Sequence, residues 1–544
     1  DFRGMKYFNR RHGLPEGDKL LREFSRLLAE MYGNECCTRL GGDHFAVFTE
    51  EDGLEETVEL IFKEGRKLNN GLSLPIHAGV YLSRGEDVGS STAVDRAKLA
   101  CDSIRRNYAS SFKYYDDTMR DNEEKQQYIL ASFDRALEEK WITVYYQPIV
   151  RAVSGRVCDE EALARWIDPI RGFMSPGDFI PILEDAKQIY KLDLYVLDRV
   201  IEKLKIQESE GLFLVPQSIN LSRSDFEVCD IVEEIRQRVD DSGIERKMFT
   251  IEITESIVGS DFNFMNDKIK EFKELGFPVW MDDFGSGYSS LDVLQSMDID
   301  LLKFDMKFMR KFDQNQNSRI ILSELMRMAL SLGLDTICEG VETEEQAKFL
   351  REIGCSKIQG FYYAKPMPLE DILERYEKGI QIGFENPAQK EYYESIGRTN
   401  LHDLRVISAD EGENFQSVFE SIPMAVIEFR NKKMRFARTN GSYREFMKRY
   451  FDFEMTDEFL EYQDAMKSMA RSYERVVKEF ARKGKKMFID ELLPDGSTAH
   501  FFLRRMVDDP VDNTVAITLA VLAIIDKGRG SKLSNLVSAL AGDD

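Results

Sequence analysis

Between Thr143 and about Pro368 the chain alternates short apolar runs with amphipathic stretches, and this repeat constrains the fold most. Strands are predicted at 144–150, 157–163, 213–221, 249–254, 279–283, 301–305, 335–339 and 357–362. Amphipathic helices are read between them. Met265, Ile269, Phe272 and Leu275 make one apolar stripe at helical spacing, and Ile321, Leu325, Met328 and Leu332 make another. Strand and helix repeated over roughly 225 residues predict a β/α barrel.

The rest of the 544 residues is too long for the same core. Residues 1–118 mix amphipathic helix and short strands. Leu20, Phe24, Leu27 and Leu28 share a helical face, and 39–48 read as strand, tight turn, strand. A charged helix over 119–139 leads into the barrel. A polar stretch follows it, read as a linker at 386–413 that carries a helix. Residues 414–527 then begin with a helix around 415–422 and end with a hairpin, 501–507 and 515–525. Asp495-Gly496 and Asp508-Asp509-Pro510 are turn signals. The tail, 528–544, is expected to be loosely ordered. The fold class is therefore α/β: a central TIM-like β/α barrel between two α+β domains.

Charge and cysteines exclude several roles. A net charge of −23 argues against duplex nucleic acid or an anionic membrane as a partner through the overall field. The seven cysteines show no zinc spacing, as expected of reduced thiols in a cytoplasmic protein. The longest apolar run, 515–525, is far short of the ~20 residues that span a bilayer. The chain opens at Asp1 without a methionine, which leaves room upstream for a membrane anchor.

In a β/α barrel, side chains at the carboxyl ends of the strands converge on one mouth. Glu161 closes the second predicted strand and Asn220 the third. Glu252 sits late in the fourth, Asp282 and Asp283 end the fifth, and Lys303 lies on the sixth. Glu339 ends the seventh and Gln359 lies on the eighth. So many carboxylates cannot stay ionised together without cations. An all-oxygen set selects Mg²⁺ or Mn²⁺ over zinc, and no histidine occurs between His77 and His402. Two adjacent aspartates can flank a metal pair ~3.5–4 Å apart, a geometry suited to in-line phosphoester hydrolysis. The segment 282–291, DDFGSGYSSL, can bend and close over a ligand, although an ordinary βα turn reads the same way. Glu342 reads equally as a carboxylate at a helix N-terminus, and Arg165 as a barrel salt bridge.

Taken in order, Glu161-Ala162-Leu163-Ala164-Arg165-Trp166, Asn220-Leu221-Ser222, Glu252-Ile253-Thr254-Glu255, DDFGSGYSSL, Leu302-Lys303-Phe304-Asp305, Glu339-Gly340-Val341-Glu342 and Gln359-Gly360 resemble the EAL family of cyclic-di-GMP phosphodiesterases, over about 125–385. The resemblance implies a metal-dependent enzyme that linearises cyclic di-GMP to pGpG. It places Glu161, Asn220, Glu252 and Asp282 on one metal and Asp282 with Asp283 on the second. Lys303 would orient or help activate the attacking water. Glu339 and Gln359 would support that water and the second metal. Glu255 would anchor the glycine-rich loop, and Arg165, Gln359 and Asp305 would meet substrate. Paired barrels near that loop, a homodimer, are also implied. Asp159-Glu160 stand where a glycine is common, which removes no ligand. A receptor that binds cyclic di-GMP without turnover is the alternative, but it would be expected to lack metal ligands or the loop. An aldolase-like barrel has only the lone Lys303 to support it.

Arg39-Leu40-Gly41-Gly42-Asp43-His44-Phe45 resembles the GGDEF motif of diguanylate cyclases, with Asp1 and Asp43 matching its metal aspartates and Asn9 and Asp18 its guanine contacts. His44 replaces a carboxylate, Asp102 stands where a phosphate-binding lysine is usual, and Arg106 is retained. The inhibitory Arg-x-x-Asp reads Tyr32…Glu35. No cyclase activity is expected. A structural or dimerising role is favoured over a regulatory site for GTP or another nucleotide. Residues 419–427, 440–446 and 494–497 resemble a PAS-type sensor, with ligand unread and His402 and His500 taken as surface residues.

Overall fold

The computed structural model of the protein describes residues 1–544 except 85–87, 106, 108, 256–261, 286–293, 295, 313–315, 400, 402–421, 431–432, 454–459, 462–485 and 526–544. Arg106, His402, the helix expected at 415–421, most of the glycine-rich loop and the tail therefore lie outside the described residues. The chain divides into two units, Asp1–Asp134 and Arg135–Asp544.

In the first unit, Leu20, Leu21, Phe24, Leu27 and Leu28 are buried along one face of the helix Leu14–Tyr32. With Phe2, Val58, Ile61 and Phe62 they form its core. β1 (Cys37–Gly41) and β2 (His44–Val47) make the antiparallel hairpin, and Gly41 and Gly42 take positive φ at its turn. β3 (His77–Val80) pairs in parallel with β4 (Ser111–Tyr114). The helix Ser90–Ser103 packs so closely on β3 that a Cβ at Gly79 would stand 1.8 Å from the Ala97 carbonyl oxygen.

The second unit begins with the barrel. Its strands are β5 (Ile142–Arg151), β6 (Val157–Asp168), β8 (Gln217–Leu221), β9 (Phe249–Thr254), β10 (Val279–Phe284), β11 (Leu301–Phe304), β12 (Asp335–Cys338) and β13 (Lys357–Gln359), with β7 (Gly172–Met174) hung on β6. The order β5-β13-β12-β11-β10-β9-β8-β6 closes through β5–β6, giving an eight-stranded barrel. One expectation is corrected. No helix separates the first two strands, and β5 runs antiparallel to both β6 and β13. The link Ala152–Arg156 is a tight turn with Gly155 at φ 68°, too short for the crossover that a parallel pair needs. The other neighbouring pairs are parallel, so their carboxyl ends share one mouth.

Strand parity sorts the interior into layers, because alternate residues face the same side. Trp280, Leu301 and Ile337 each precede a mouth residue by two. With Ile149 and Cys158 they form a buried apolar layer beneath the mouth. At the amino ends lie buried ion pairs, Arg151–Glu385 at 2.9 Å and Lys357–Asp159 at 2.7 Å.

The stretch read as a linker carries the helix Lys390–Gly397, whose Tyr392 and Ile396 are buried. They pack with Met424, Val426, Phe502, Ala516 and Ala520 of a six-stranded antiparallel sheet. That sheet comprises β14 (Met424–Arg430), β15 (Lys433–Thr439), β16 (Leu460–Glu461), β17 (Lys486–Leu492), β18 (Thr498–Asp508) and β19 (Val515–Ile525), in the order β16-β15-β14-β19-β18-β17. The predicted hairpin is β18–β19, and Ser497 N donates to Asp495 Oδ1 at the preceding turn. His500 is only half-buried, with Nδ1 2.5 Å from Asp490 Oδ1. Arg398 ties the helix to the barrel through two hydrogen bonds to Asp335, at 2.9 and 3.1 Å. No helix among the described residues is long and apolar enough to cross a membrane.

Candidate active site

Lys303 is the centre of the mouth. It rises from β11, 1% exposed, between the carboxylates of four other strands. Its Nζ lies 2.7 Å from Glu252 Oε2, 2.8 Å from Glu339 Oε1, 3.2 Å from Asp282 Oδ1 and 3.3 Å from Glu161 Oε2. Burial alone would lower its pKa, but Asp282, Glu161, Glu252 and Glu339 outweigh that and hold the ammonium well above its ordinary value.

Two amides arrange Glu161. Asn220 Nδ2 donates to Oε1 at 3.0 Å and Gln359 Nε2 to Oε2 at 2.7 Å. Burial opposes ionisation of Glu161, yet Lys303, Gln359 and Asn220 more than offset it, and its pKa is lowered. Glu252 goes the other way. Desolvation pushes its pKa well up against Lys303, and Glu161 and Asp282 add to the rise. Desolvation, with Asp282 and Glu161, also raises Glu339 to about 7 against the pull of Lys303. Asp283 is raised by burial, then by Asp282 and Asp305.

At the end of β10, Asp283 sits at φ 57° and its N–H donates to Asp282 Oδ1 at 2.8 Å. That left-handed kink is uncommon outside glycine and turns the two adjacent carboxylates toward one place. Asp282, Asp283 and Glu339 each offer an oxygen within 4.8 Å of the others, a spacing able to hold a cation. Glu252 Oε1 and Gln359 Oε1 are buried at the same mouth without a protein hydrogen-bond partner. Among the described residues four carboxylates meet the Lys303 ammonium and Asp283 stands beside two of them, so the donor set fits hard divalent cations.

The remaining residues singled out from sequence stand around this centre. Glu255 Oε2 accepts from Gly285 N at 3.1 Å, at the root of the glycine-rich loop, and Ser286 to Leu291 lie outside the described residues. Arg165 is four residues beyond Glu161 on β6. Its Nη1 donates to the Ala164 carbonyl, its guanidinium lies 5.6 Å from the Tyr145 ring centre, and burial lowers its pKa. Asp305 is buried and occupied locally, accepting from Lys307 N at 2.7 Å. Glu342 is exposed and precedes the cap of the helix Glu344–Ile353, so it stays outside the cluster. Sequence reading passed over Gln346, the Q of the capping box Thr343-x-x-Gln346.

Residues 130–366 match the EAL domain family. The second unit thus contains an EAL domain built as a closed barrel. Among similar proteins, MucR of Pseudomonas aeruginosa, described as a bifunctional diguanylate cyclase/cyclic di-GMP phosphodiesterase, is 28% identical over 381 residues, covering 69% of this chain and 56% of MucR. NbdA of the same organism, described as a cyclic di-GMP phosphodiesterase, is 27% identical over 391 residues, covering 69% of this chain and 49% of NbdA. A solved MucR phosphodiesterase in complex with c-di-GMP is 31% identical, covers 45% of this chain and 99% of its own, and has a TM-score of 0.43. The chain spans about half the length of the curated relatives it matches, at 56%, 47% and 45% of the first three.

Proposed function

We propose that the barrel hydrolyses cyclic di-GMP to pGpG with Mg²⁺ or Mn²⁺ at its mouth. The observation that carries this reading is the surplus of five converging carboxylates over Lys303, three of them within 4.8 Å of one another at Asp282, Asp283 and Glu339. Glu161, Asn220, Glu252 and Asp282 would hold one cation and Asp282 with Asp283 the other, with Glu339 beside them. Bound there, the cations supply Lewis-acid stabilisation of phosphoryl oxygens and a nucleophilic water at neutral pH.

The chain's own residues do the rest. Lys303 holds four carboxylates in register and orients the attacking water. Gln359 fixes Glu161 through Nε2 and keeps Oε1 for the water or the substrate. Arg165 meets a phosphate, with Asp305 supporting the substrate side. Glu255 holds the start of the loop that covers the ligand. Likenesses to MucR and NbdA, both described with cyclic di-GMP activities, support the substrate class.

Residues 1–118 serve as a GGDEF-like domain without cyclase activity, a reading supported by His44 Nδ1 standing 3.7 Å from Asp1 Oδ2. Residues 414–527 serve as a PAS-like regulatory domain, and the active form is a homodimer paired through the barrel in the cytoplasm. The test is incubation of the chain with cyclic di-GMP and Mg²⁺ or Mn²⁺. Release of pGpG is expected. Retained binding without turnover would replace the enzyme with a receptor. With GTP, no cyclic di-GMP should form, and its formation would overturn the reading of His44.

A further inference from the structure

Three loops at the mouth follow Lys303, Glu339 and Gln359, and their backbones are interlocked. Glu339 N donates to the Phe304 carbonyl at 3.1 Å, and Val341 N to the Gln359 carbonyl at 3.2 Å. Gly340, at φ 70°, lies against Met306, where a Cβ would be 2.6 Å from the Met306 Cβ. One side chain outside the mouth binds two of these loops together. Gln346, 6% exposed, accepts at Oε1 from Glu342 N at 2.8 Å and Thr343 N at 3.2 Å. From the same amide, Nε2 donates at 3.4 Å to the carbonyl of Met309, in the turn that follows Lys303 and Asp305. Its own backbone N donates to Thr343 Oγ1 at 3.2 Å and completes the helix cap.

We infer that Gln346 is a positioning residue of the active site, whose amide fixes the Glu339 loop against the Lys303 loop and so sets the spacing of Lys303 and Glu339. The amide is suited to this because it offers an acceptor and a donor in one planar group. A glutamate there would still close the capping box but could not donate to Met309. The Lys303–Glu339 contact of 2.8 Å and the approach of Glu339 to Asp282 and Asp283 both depend on that spacing. The inference rests on the proposed cation-dependent hydrolysis for its kinetic readout, and on the donor set alone for its binding readout.

The experiment compares the wild-type chain, Gln346→Met, Gln346→Glu and Thr343→Ala by cyclic di-GMP turnover, Mn²⁺ affinity from electron paramagnetic resonance, and thermal melting. Gln346→Met should lower kcat about 10–100-fold with KM little changed, and weaken Mn²⁺ binding in parallel, as loss of a residue supporting metal ligands does. Gln346→Glu should fall between it and wild type. Thr343→Ala removes the other half of the cap, so it should lower the melting temperature while keeping kcat and Mn²⁺ affinity. If Gln346→Met fails to fold, Gln346→Glu carries the comparison. Equal losses in Thr343→Ala and the Gln346 variants, or unchanged kcat and Mn²⁺ affinity in the latter, overturn the inference. Wild type that binds Mn²⁺ but does not turn over cyclic di-GMP overturns the proposed function instead, and Mn²⁺ affinity then decides the role of Gln346.

Discussion

Replacing Lys303 with methionine keeps the length and volume of the side chain and removes one charge. In the folded barrel that charge is the only cation within 4 Å of Glu161, Glu252, Asp282 and Glu339 among the described residues. Removing one partner of a buried ion pair costs about 3–5 kcal/mol, because the remaining charge is left in a poor solvent. Here the carboxylates can take up protons, which holds the cost near that range despite four contacts. At about 2–4 °C per kcal/mol for a domain of this size, the barrel should melt about 6–20 °C lower. Divalent cations should reverse much of this. A ligand that binds only the folded state at 100 times its Kd adds about 2.7 kcal/mol. Differential scanning calorimetry in chelator and then in millimolar Mn²⁺ reads both effects. The variant should gain more from Mn²⁺ than wild type does, while turnover falls by about 10²-fold or more. A variant that melts with wild type in chelator, or gains no more from Mn²⁺, would refute the reading that surplus negative charge dominates the mouth.

Glu161→Ala removes the carboxylate on which Asn220, Gln359 and Lys303 converge; turnover should drop by more than the ~100-fold that loss of an outer supporting group costs, and full activity would refute its assignment. Gly360→Ala would place a Cβ 2.1 Å from the Val341 carbonyl oxygen, a backbone atom with little room to give, so chemical denaturation should show a loss of about 1–3 kcal/mol or more. Away from the mouth, burial and the facing carboxyl raise the pKa of Asp193 well up, and burial raises Asp225 to about 6. A raised carboxyl contributes stability that is complete below about 3.9 and is lost as pH rises through its folded pKa. The stability contributed by Asp225, of order 2–3 kcal/mol, should therefore be lost between pH ~4 and just above 6 and that of Asp193 at higher pH, and Asp193→Asn should flatten the slope in pH-dependent urea melts; parallel profiles for the two proteins would sink the assignment.

Much of the mouth was legible because strand parity and strand ends are both written locally. Asp282 on β10, Lys303 on β11 and Glu339 just past β12 each follow an inward apolar residue by two, so a reader who finds the strands also finds the direction of the side chains. The antiparallel start of the barrel was less legible. Both strands were recognisable, and only the shortness of Ala152–Arg156 distinguishes a hairpin from a crossover. Glu342, read equally as a carboxylate at a helix N-terminus, lies exposed just ahead of a helix cap, and its place in the motif alone could not decide between the two readings. Gln346 could be recognised as half of a capping box, but its reach to Met309 depends on how two loops distant in sequence pack, and no local pattern encodes that distance. The buried pairs of the barrel base were hidden for the same reason.

Those base pairs supply the comparison that gives the mouth its meaning. Away from the mouth, buried carboxylates meet cations close by: Asp159 meets Lys357, Glu385 meets Arg151, Asp335 meets Arg398, and Glu160 meets Lys203. Such pairing is how a fold carries charge in its interior when the charge has only to be stable. At the carboxyl ends, across the apolar layer of Ile149, Trp280, Leu301 and Ile337, the same barrel sets Glu161, Glu252, Asp282 and Glu339 around Lys303, the only cation within 4 Å of them among the described residues, with Asp283 beside them. Self-repulsion in that layout is a standing cost to folding, and closer pairing was available to the same sequence a few residues away. A mouth left short of positive charge is intelligible if cations and an anionic ligand complete it together.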